Sequence, residues 1–385
     1  MVFVRNVTKR GNNNLVSSHN EWDPLEEVIV GKGLPEKLPA LDFTFRLHFH
    51  DNIYNMTATC GSNLINNKVT PQYYIKKRHI YEHNEDVENY ANLLKSHGIT
   101  VRRPKVPIKI NKVKTPNWDS TIYPALNVRD LSMIIGNKII ETPPSLRFRY
   151  FENDFLKHLF LEYFKSGAQW ITSPRPLMVD ESFDLSYYDK DDGAIAQYKS
   201  MIEENRMSCG YEIMFDAANC MRLGTHILFN TSTVNSDLGM VWLQDILGDK
   251  YKVIPTSVTD THIDSTFLPL RPGLALMLAP DKKHLLPECI QKWDLIDIPL
   301  RKRSNVDTDL QAIKLASPRV ELNVLSIDQS TIICHPEYRD ILQEKLKKYK
   351  FDVIPCQMRH CEIFSGAHHC LTLDVRRKGS LENYF

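Results

Sequence analysis

The sequence predicts an α/β fold built as a five-bladed α/β propeller, and three observations predict it. One pattern recurs five times: an amphipathic helix ends, a short strand follows, and a proline closes the strand. A second apolar strand precedes each of those helices. The spacing between units is uneven, which is loose for a solenoid but natural for a closed ring with unequal loops. The competing reading is an ordinary α/β protein whose helix–strand junctions look alike.

The units can be taken in chain order. Leu93-Leu94-Lys95-Ser96-His97-Gly98 leads into Thr100-Val101-Arg102-Arg103-Pro104. Tyr163-Phe164-Lys165-Ser166-Gly167 leads into Gln169-Trp170-Ile171-Thr172-Ser173-Pro174. Leu243 to Gly248 precedes Lys252-Val253-Ile254-Pro255, and Ile290 to Trp293 precedes Leu295-Ile296-Asp297-Ile298-Pro299. The fifth unit runs from Leu346 to Lys350 and into Asp352-Val353-Ile354-Pro355. Glycine after a helix supplies the left-handed cap, and proline suits a strand end because it cannot donate to a ladder. The strands ahead of the helices are read at residues 27–30, 131–136 with 138–140, 226–229, 274–278, and 323–326 with 331–334. Two long irregular stretches, residues 41–81 and 180–206, read equally as lids over a site or as peripheral insertions.

The chain has 385 residues, 42% hydrophobic and 25% charged, with a formal charge of +1. That is a globular composition, and the near-neutral balance argues against a general nucleic-acid binder. No apolar run approaches the roughly 20 residues that cross a bilayer. The eight cysteines are scattered, without CxxC or zinc-type spacing. A chain this long needs no disulfide staples, so a reducing, cytoplasmic compartment is expected, and the sequons at Asn6, Asn55 and Asn230 then carry no sugar. Residues 1–18 are read as a disordered leader and residues 19–385 as one domain.

The chemistry concentrates near the end of the chain. A small-residue run, Gly366-Ala367, leads through His368-His369 into Cys370, and an alternating strand with Leu371, Leu373 and Val375 follows. A lone cysteine is more often a small core residue than a nucleophile. Here the two histidines and Arg376-Arg377-Lys378 are expected to lower the thiol pKa and favour the thiolate. Cys356 and Cys361 are the rivals, both lacking a small-residue approach. His262-Ile263-Asp264, read as a strand, would place His262 and Asp264 on one face. Taken alone, that segment reads sooner as a satisfied strand histidine with a turn aspartate. Asp216 sits among small residues in Phe215-Asp216-Ala217-Ala218-Asn219, and Asp130 directly precedes a predicted strand. Several carboxylates together could hold a planar guanidinium by paired hydrogen bonds.

These segments, with Asn20-Glu21-Trp22-Asp23-Pro24 at the start, Gly136-Asn137-Lys138, Arg149-Tyr150-Phe151-Glu152, Leu238-Gly239, Trp242-Leu243 and Tyr384-Phe385 at the end, resemble the amidinotransferase family. That family includes glycine, inosamine-phosphate and cyanobacterial toxin-pathway amidinotransferases. The resemblance runs from about residue 19 to the end. It implies a pentein-like propeller and a ping-pong transfer of the amidino group of L-arginine to a primary amine, releasing ornithine. No cofactor or metal is implied, and a homodimer is. By position, Cys370 resembles the nucleophile, His262 the acid/base and Asp216 its orienter. Asp130 and Asp264 resemble the guanidinium ligands, Ser317 a substrate-contacting serine, and Lys282 stands nearest the arginine that grips the substrate carboxylate. Two departures bear on the acceptor. Residues 251–262 look about three residues shorter than in glycine amidinotransferase, and Thr261 stands where that enzyme has methionine. Glycine, lysine, an aminocyclitol and a secondary-metabolite amine all remain open as acceptors. The alternatives to transfer are a guanidine hydrolase of the arginine deiminase kind and a catalytically silent binding protein.

Overall fold

A computed structural model describes residues 15–33, 44, 77–106, 112–183, 211–231, 233–259, 262–299, 322–361, 364 and 366–385. Among them lie five three-stranded sheets of one design. The strands are β1 (Leu25–Val30), β2 (Thr100–Arg102), β5 (Ser132–Ile135), β6 (Lys138–Glu141), β7 (Gln169–Thr172), β8 (Cys220–Leu223), β9 (His226–Asn230), β10 (Lys252–Thr256), β11 (Phe267–Arg271), β12 (Leu274–Met277), β13 (Asp294–Asp297), β14 (Leu325–Asp328), β15 (Thr331–Cys334), β16 (Asp352–Pro355) and β17 (Thr372–Arg377). The central strands β1, β6, β9, β12 and β15 each carry an antiparallel partner on one side and a parallel partner on the other. A small hairpin, β3 (Lys112–Lys114) with β4 (Asp119–Thr121), stands apart.

The proline rule has a simple cause. The strands that end at or near proline, β2, β7, β10, β13 and β16, are all edge strands. Their outer side carries no ladder, so a missing N–H costs nothing there. A parallel partner needs a crossover, and a helix supplies each one. These are α1 (Lys77–Ser96), α2 (Lys157–Lys165), α3 (Val234–Leu247), α4 (Glu288–Gln291) and α5 (Arg339–Leu346). In α1 the buried positions His83, Val87, Tyr90, Ala91 and Leu94 recur at helical spacing, which turns one face inward. At the start of α3, Thr233 and Ser236 form a reciprocal capping box.

In four sheets the antiparallel partner is the preceding strand of a hairpin; in the first it is β17, the last strand of the chain. The two ends therefore meet. Arg377 donates to the carbonyl of Asp23, and a Cβ on Gly379 would lie 1.9 Å from Asp23 Oδ2, so only glycine fits there. Trp22 is fully buried, edge-on to Trp293 and Tyr384.

Beside this seam lies a buried charge hub. Arg222 donates to both oxygens of Glu21 and to Asp374, Arg129 bonds Glu21 and Asp374, and Arg377 bonds Asp374. The arginines hold both carboxyls well below the usual carboxylate range even though burial opposes this.

Two expectations shift. Residues 16–18, read as the end of a leader, are held against the sheets: Val16 is buried, Ser17 pairs beside Arg376, and Ser18 bonds across to Gly136. Those backbone bonds pin the segment to two sheets, while residues 1–14 lie outside the described residues. The antiparallel strands β8 and β11 were not foreseen as strands. Both are short and nearly wholly buried, so neither has the alternation that marks a half-exposed strand.

Candidate active site

The antiparallel edge strand of each sheet is approached by a turn, and those turns carry the chemistry. Asp130 lies two residues ahead of β5 and Asp216 four ahead of β8. His262 and Asp264 precede β11, Asn323 stands two ahead of β14, and Cys370 two ahead of β17. Asp216 begins the short 3₁₀ turn Ala217–Asn219, and His262 begins the 3₁₀ turn Ile263–Ser265.

On one side is the thiol. Cys370 Sγ lies 3.4 Å from Asp264 Oδ2 and 2.8 Å from Asn323 Nδ2. Asp264 Oδ2 is also 2.8 Å from His369 Nδ1. The small-residue approach has a steric reason: a Cβ on Gly366 would sit 2.6 Å from Cys370 Cβ and 2.7 Å from Asn127 Oδ1.

On the other side is the histidine. His262 Nε2 lies 2.9 Å from Asp216 Oδ2, and its Nδ1 lies 3.7 Å from Asp130 Oδ1. Arg149 donates to Asp130 Oδ2 at 2.8 Å and makes a fork onto Glu152, fixing the carboxylates from behind. Asp130 Oδ1 is buried and has no hydrogen-bond partner among the described residues.

The carboxylates act on both sides at once. Burial pulls the His262 imidazolium down, but Asp130, Asp216 and Asp264 together carry its pKa up to about 9. Burial pushes the Cys370 thiol well above its usual value, and Asp264 and Asp130 push further, against the Asn323 hydrogen bond. Burial also raises Asp130, while the hydrogen bond from His369 brings Asp264 below its ordinary value despite its burial. The site therefore holds a protonated histidine and a neutral thiol, with Asp130, Asp216 and Asp264 around them.

Several sequence expectations change here. His262-Ile263-Asp264 is a 3₁₀ turn and not a strand, so its two polar side chains do not share a face. They diverge, His262 to Asp216 and Asp264 to Cys370. Of the basic groups expected around Cys370, three are engaged elsewhere. His368 bonds the Cys356 carbonyl, and burial lowers its pKa to about 3, so it is neutral. Arg376 turns to Glu26 and Glu27, and Arg377 to Asp374. Lys282 sits on the short 3₁₀ turn Pro280–Leu285, and no hydrogen bond or ion pair among the described residues joins it to the cluster. Ser317 and Thr261 lie outside the described residues, as does most of residues 41–81 and 180–206.

Three members were not foreseen as site residues. Arg149 and Glu152 stood in a recognised segment, but nothing in their spacing says that they brace Asp130. Asn323 was counted as the first residue of a strand. Its signal is positional: it stands ahead of β14 as Cys370 stands ahead of β17. Among the described residues, no group of histidine, cysteine and acidic side chains has the arrangement of a metal site. No helix among them is long and apolar enough to cross a membrane.

No family model matches the chain. Its relatives are nonetheless plain. It is 33% identical over 375 residues to inosamine-phosphate amidinotransferase 1 of Streptomyces glaucescens, covering 96% of this chain and 99% of that one. To the L-arginine:L-lysine amidinotransferase of Pseudomonas savastanoi pv. phaseolicola it is 31% identical over 383 residues, covering 96% of each. The solved inosamine-phosphate amidinotransferase of Streptomyces griseus superposes with a TM-score of 0.78 at 32% identity, over 96% of this chain and 99% of that one. By sequence over nearly its whole length, and by fold, this chain belongs to the amidinotransferases, enzymes that transfer amidino groups.

Proposed function

We propose that this enzyme moves the amidino group of L-arginine to a primary amine through an amidino-cysteine on Cys370, releasing ornithine. The observation that carries the reading is the surplus of buried carboxylate beside a thiol: Asp264 on one side, and Asp130 with its unpartnered oxygen on the other. A guanidinium cation is the planar, donor-rich group that offsets such a surplus. The arginine donor is also the one named for the lysine-accepting relative.

The steps follow from the groups present. Guanidinium binding between Asp130 and Asp264 offsets the charges that keep Cys370 protonated, and the thiol proton leaves to solvent. The thiolate sulfur bonds the guanidinium carbon. His262, protonated below about pH 9, gives its proton to the departing nitrogen as the carbon–nitrogen bond breaks. Ornithine leaves, and the amidino group stays on sulfur. The now neutral His262 takes a proton from the incoming amine, whose nitrogen bonds the amidino carbon. The carbon–sulfur bond then breaks and frees the thiolate; as the product leaves, the sulfur takes a proton back from solvent, and both catalytic groups are again in their starting states. Asp216 holds the imidazole in place. Ser317 and Lys282 keep their assignment to substrate contact, and no cofactor is needed for any step.

We also read the five sheets as blades of one ring. Their design is shared, neighbouring sheets bury joint apolar clusters, and β17 touches β5 while β1 touches β14. A ring turns the five approach turns toward one centre, which accounts for chemistry gathered from residues 130 to 370. The acceptor is read as a primary amine longer or bulkier than glycine, from the shortened segment 251–262 and Thr261. The working form is read as a homodimer.

Ornithine release, assayed with arginine alone and with glycine, lysine and an aminocyclitol in turn, tests the function. Transfer predicts multiple turnovers only with an amine and a higher kcat/KM for a longer amine than for glycine. Guanidine cleavage sustained without any amine would identify a hydrolase, and no cleavage under any condition a silent binding protein.

A further inference from the structure

Asn323 has every hydrogen-bonding group of its amide engaged around the cysteine. Its Oδ1 accepts from three successive parts of the turn: Ala367 N at 2.9 Å, His369 N at 3.0 Å and Cys370 N at 3.1 Å. Three donors converging on one atom fix that atom as the oxygen, so the amide cannot be turned over. The nitrogen then necessarily faces Cys370 Sγ at 2.8 Å and Asp264 Oδ2 at 3.3 Å. Both Asn323 and Cys370 are buried, so water does not compete for these contacts. Among the described residues, this amide is the one donor within hydrogen-bonding distance of the sulfur. The charges that oppose the thiolate are the carboxylates of Asp264 and Asp130.

We propose that Asn323 is the positioning residue of the nucleophile: its oxygen folds the Cys370 turn, and its nitrogen donates to the sulfur and supports the thiolate that the neighbouring carboxylates oppose. This deepens the reading of Cys370 as the nucleophile of the transfer. The two roles belong to opposite ends of one amide, so they can be separated. Asn323→Asp keeps an acceptor for the three backbone N–H groups and removes the donor. Asn323→Ser removes the donor's reach without adding a charge.

The test is alkylation of Cys370 by iodoacetamide in the full-length, substrate-free enzyme, followed across pH by mass spectrometry with peptide mapping. Arginine and amine are absent, so the outcome does not depend on transfer. The expected result is that both variants alkylate more slowly than wild type, by about tenfold for each pH unit by which the thiol's titration moves up. Thermal midpoints near wild type are expected for Asn323→Asp. A profile that superimposes on wild type overturns the proposal. So does faster alkylation of Asn323→Ser, the mark of a loosened turn that exposes the sulfur. If Asn323→Asp does not fold, Asn323→Ser decides; if neither folds, Asn323 is a structural residue and the proposal falls. Absence of ornithine release from wild type would instead sink the transfer reading and leave this comparison standing.

Discussion

Two buried clusters of charge lie close together in this molecule and are built to opposite ends. In the hub, Arg129, Arg222 and Arg377 answer Glu21 and Asp374, and the carboxyls are held far below their ordinary range. In the site, Asp130, Asp216 and Asp264 face His262 and Cys370, with Arg149 already shared among Asp130, Glu152 and Asp216. There Asp130 is raised, and so is Glu152, which burial carries up to about 7. The hub's carboxylates are held by arginines; the site's are not all so held, and under the proposed function a guanidinium cation completes it. His369 touches both, bonding Asp264 with Nδ1 and lying 3.6 Å from Glu21 with Nε2. In the hub every carboxylate oxygen is met by an arginine nitrogen, whereas Asp130 Oδ1 in the site has no hydrogen-bond partner among the described residues.

The contrast can be broken most sharply at the sulfur. Cys370→Ser should lower turnover by roughly 10⁴-fold or more, since a covalent route is lost outright, while the thermal midpoint stays close to wild type. Equal turnover would move the chemistry elsewhere, to Cys356 or Cys361. The hub should answer in the opposite way. Arg222→Leu leaves Glu21 and Asp374 short of partners, and a broken buried pair costs about 3–5 kcal/mol. Denaturant unfolding should show that loss, and unchanged stability would remove the hub's structural role.

His262→Asn should lower kcat by about 10²-fold or more, the scale for loss of a general acid, with arginine binding much less affected. A binding loss without a turnover loss would make His262 a structural residue. The smallest effect is expected at Asp130→Asn. The amide keeps an acceptor for Arg149 but loses the charge that faces Arg149 and His262, so a drop in stability smaller than that of Arg222→Leu is expected, while KM for arginine rises by about tenfold. A large drop in thermal midpoint would show that Asp130 belongs with the hub and not with the site.

The pH dependence follows from His262. Its folded pKa, about 9, lies above the unfolded value of 6.5, so its contribution to stability is full below pH 6.5 and is lost as pH rises through about 9. The first half-reaction should fall over the same upper limb, because the acid that protonates ornithine disappears. A rate that stays flat well above pH 9 would contradict this assignment.

Much of this was legible in the sequence, for physical reasons. The crossover helices and their proline-ended strands show because an edge strand tolerates proline and a helix needs a cap. The two chain ends carry dense motifs because they must close one sheet, with Gly379 against Asp23. Cys370, His262 and the three aspartates sit in short runs of small and polar residues that suit tight turns. What stayed hidden depends on partners far away in sequence. Asn323 has no charge and reads as the start of a strand, and only its contact with a turn 44 residues later gives it a role. The neutral state of His368 and the turn of Arg376 to Glu26 and Glu27 are likewise tertiary facts, which proximity in sequence does not reveal.

The most direct measurement is the intact mass of the enzyme incubated with arginine and no acceptor, followed by peptide mapping. The account predicts one added amidino group per chain, located on Cys370, with a matching single equivalent of ornithine, and its disappearance when a primary amine is added. An enzyme that releases ornithine to an amine while Cys370 stays unmodified throughout, or an adduct mapped to Cys356 or Cys361, would contradict it.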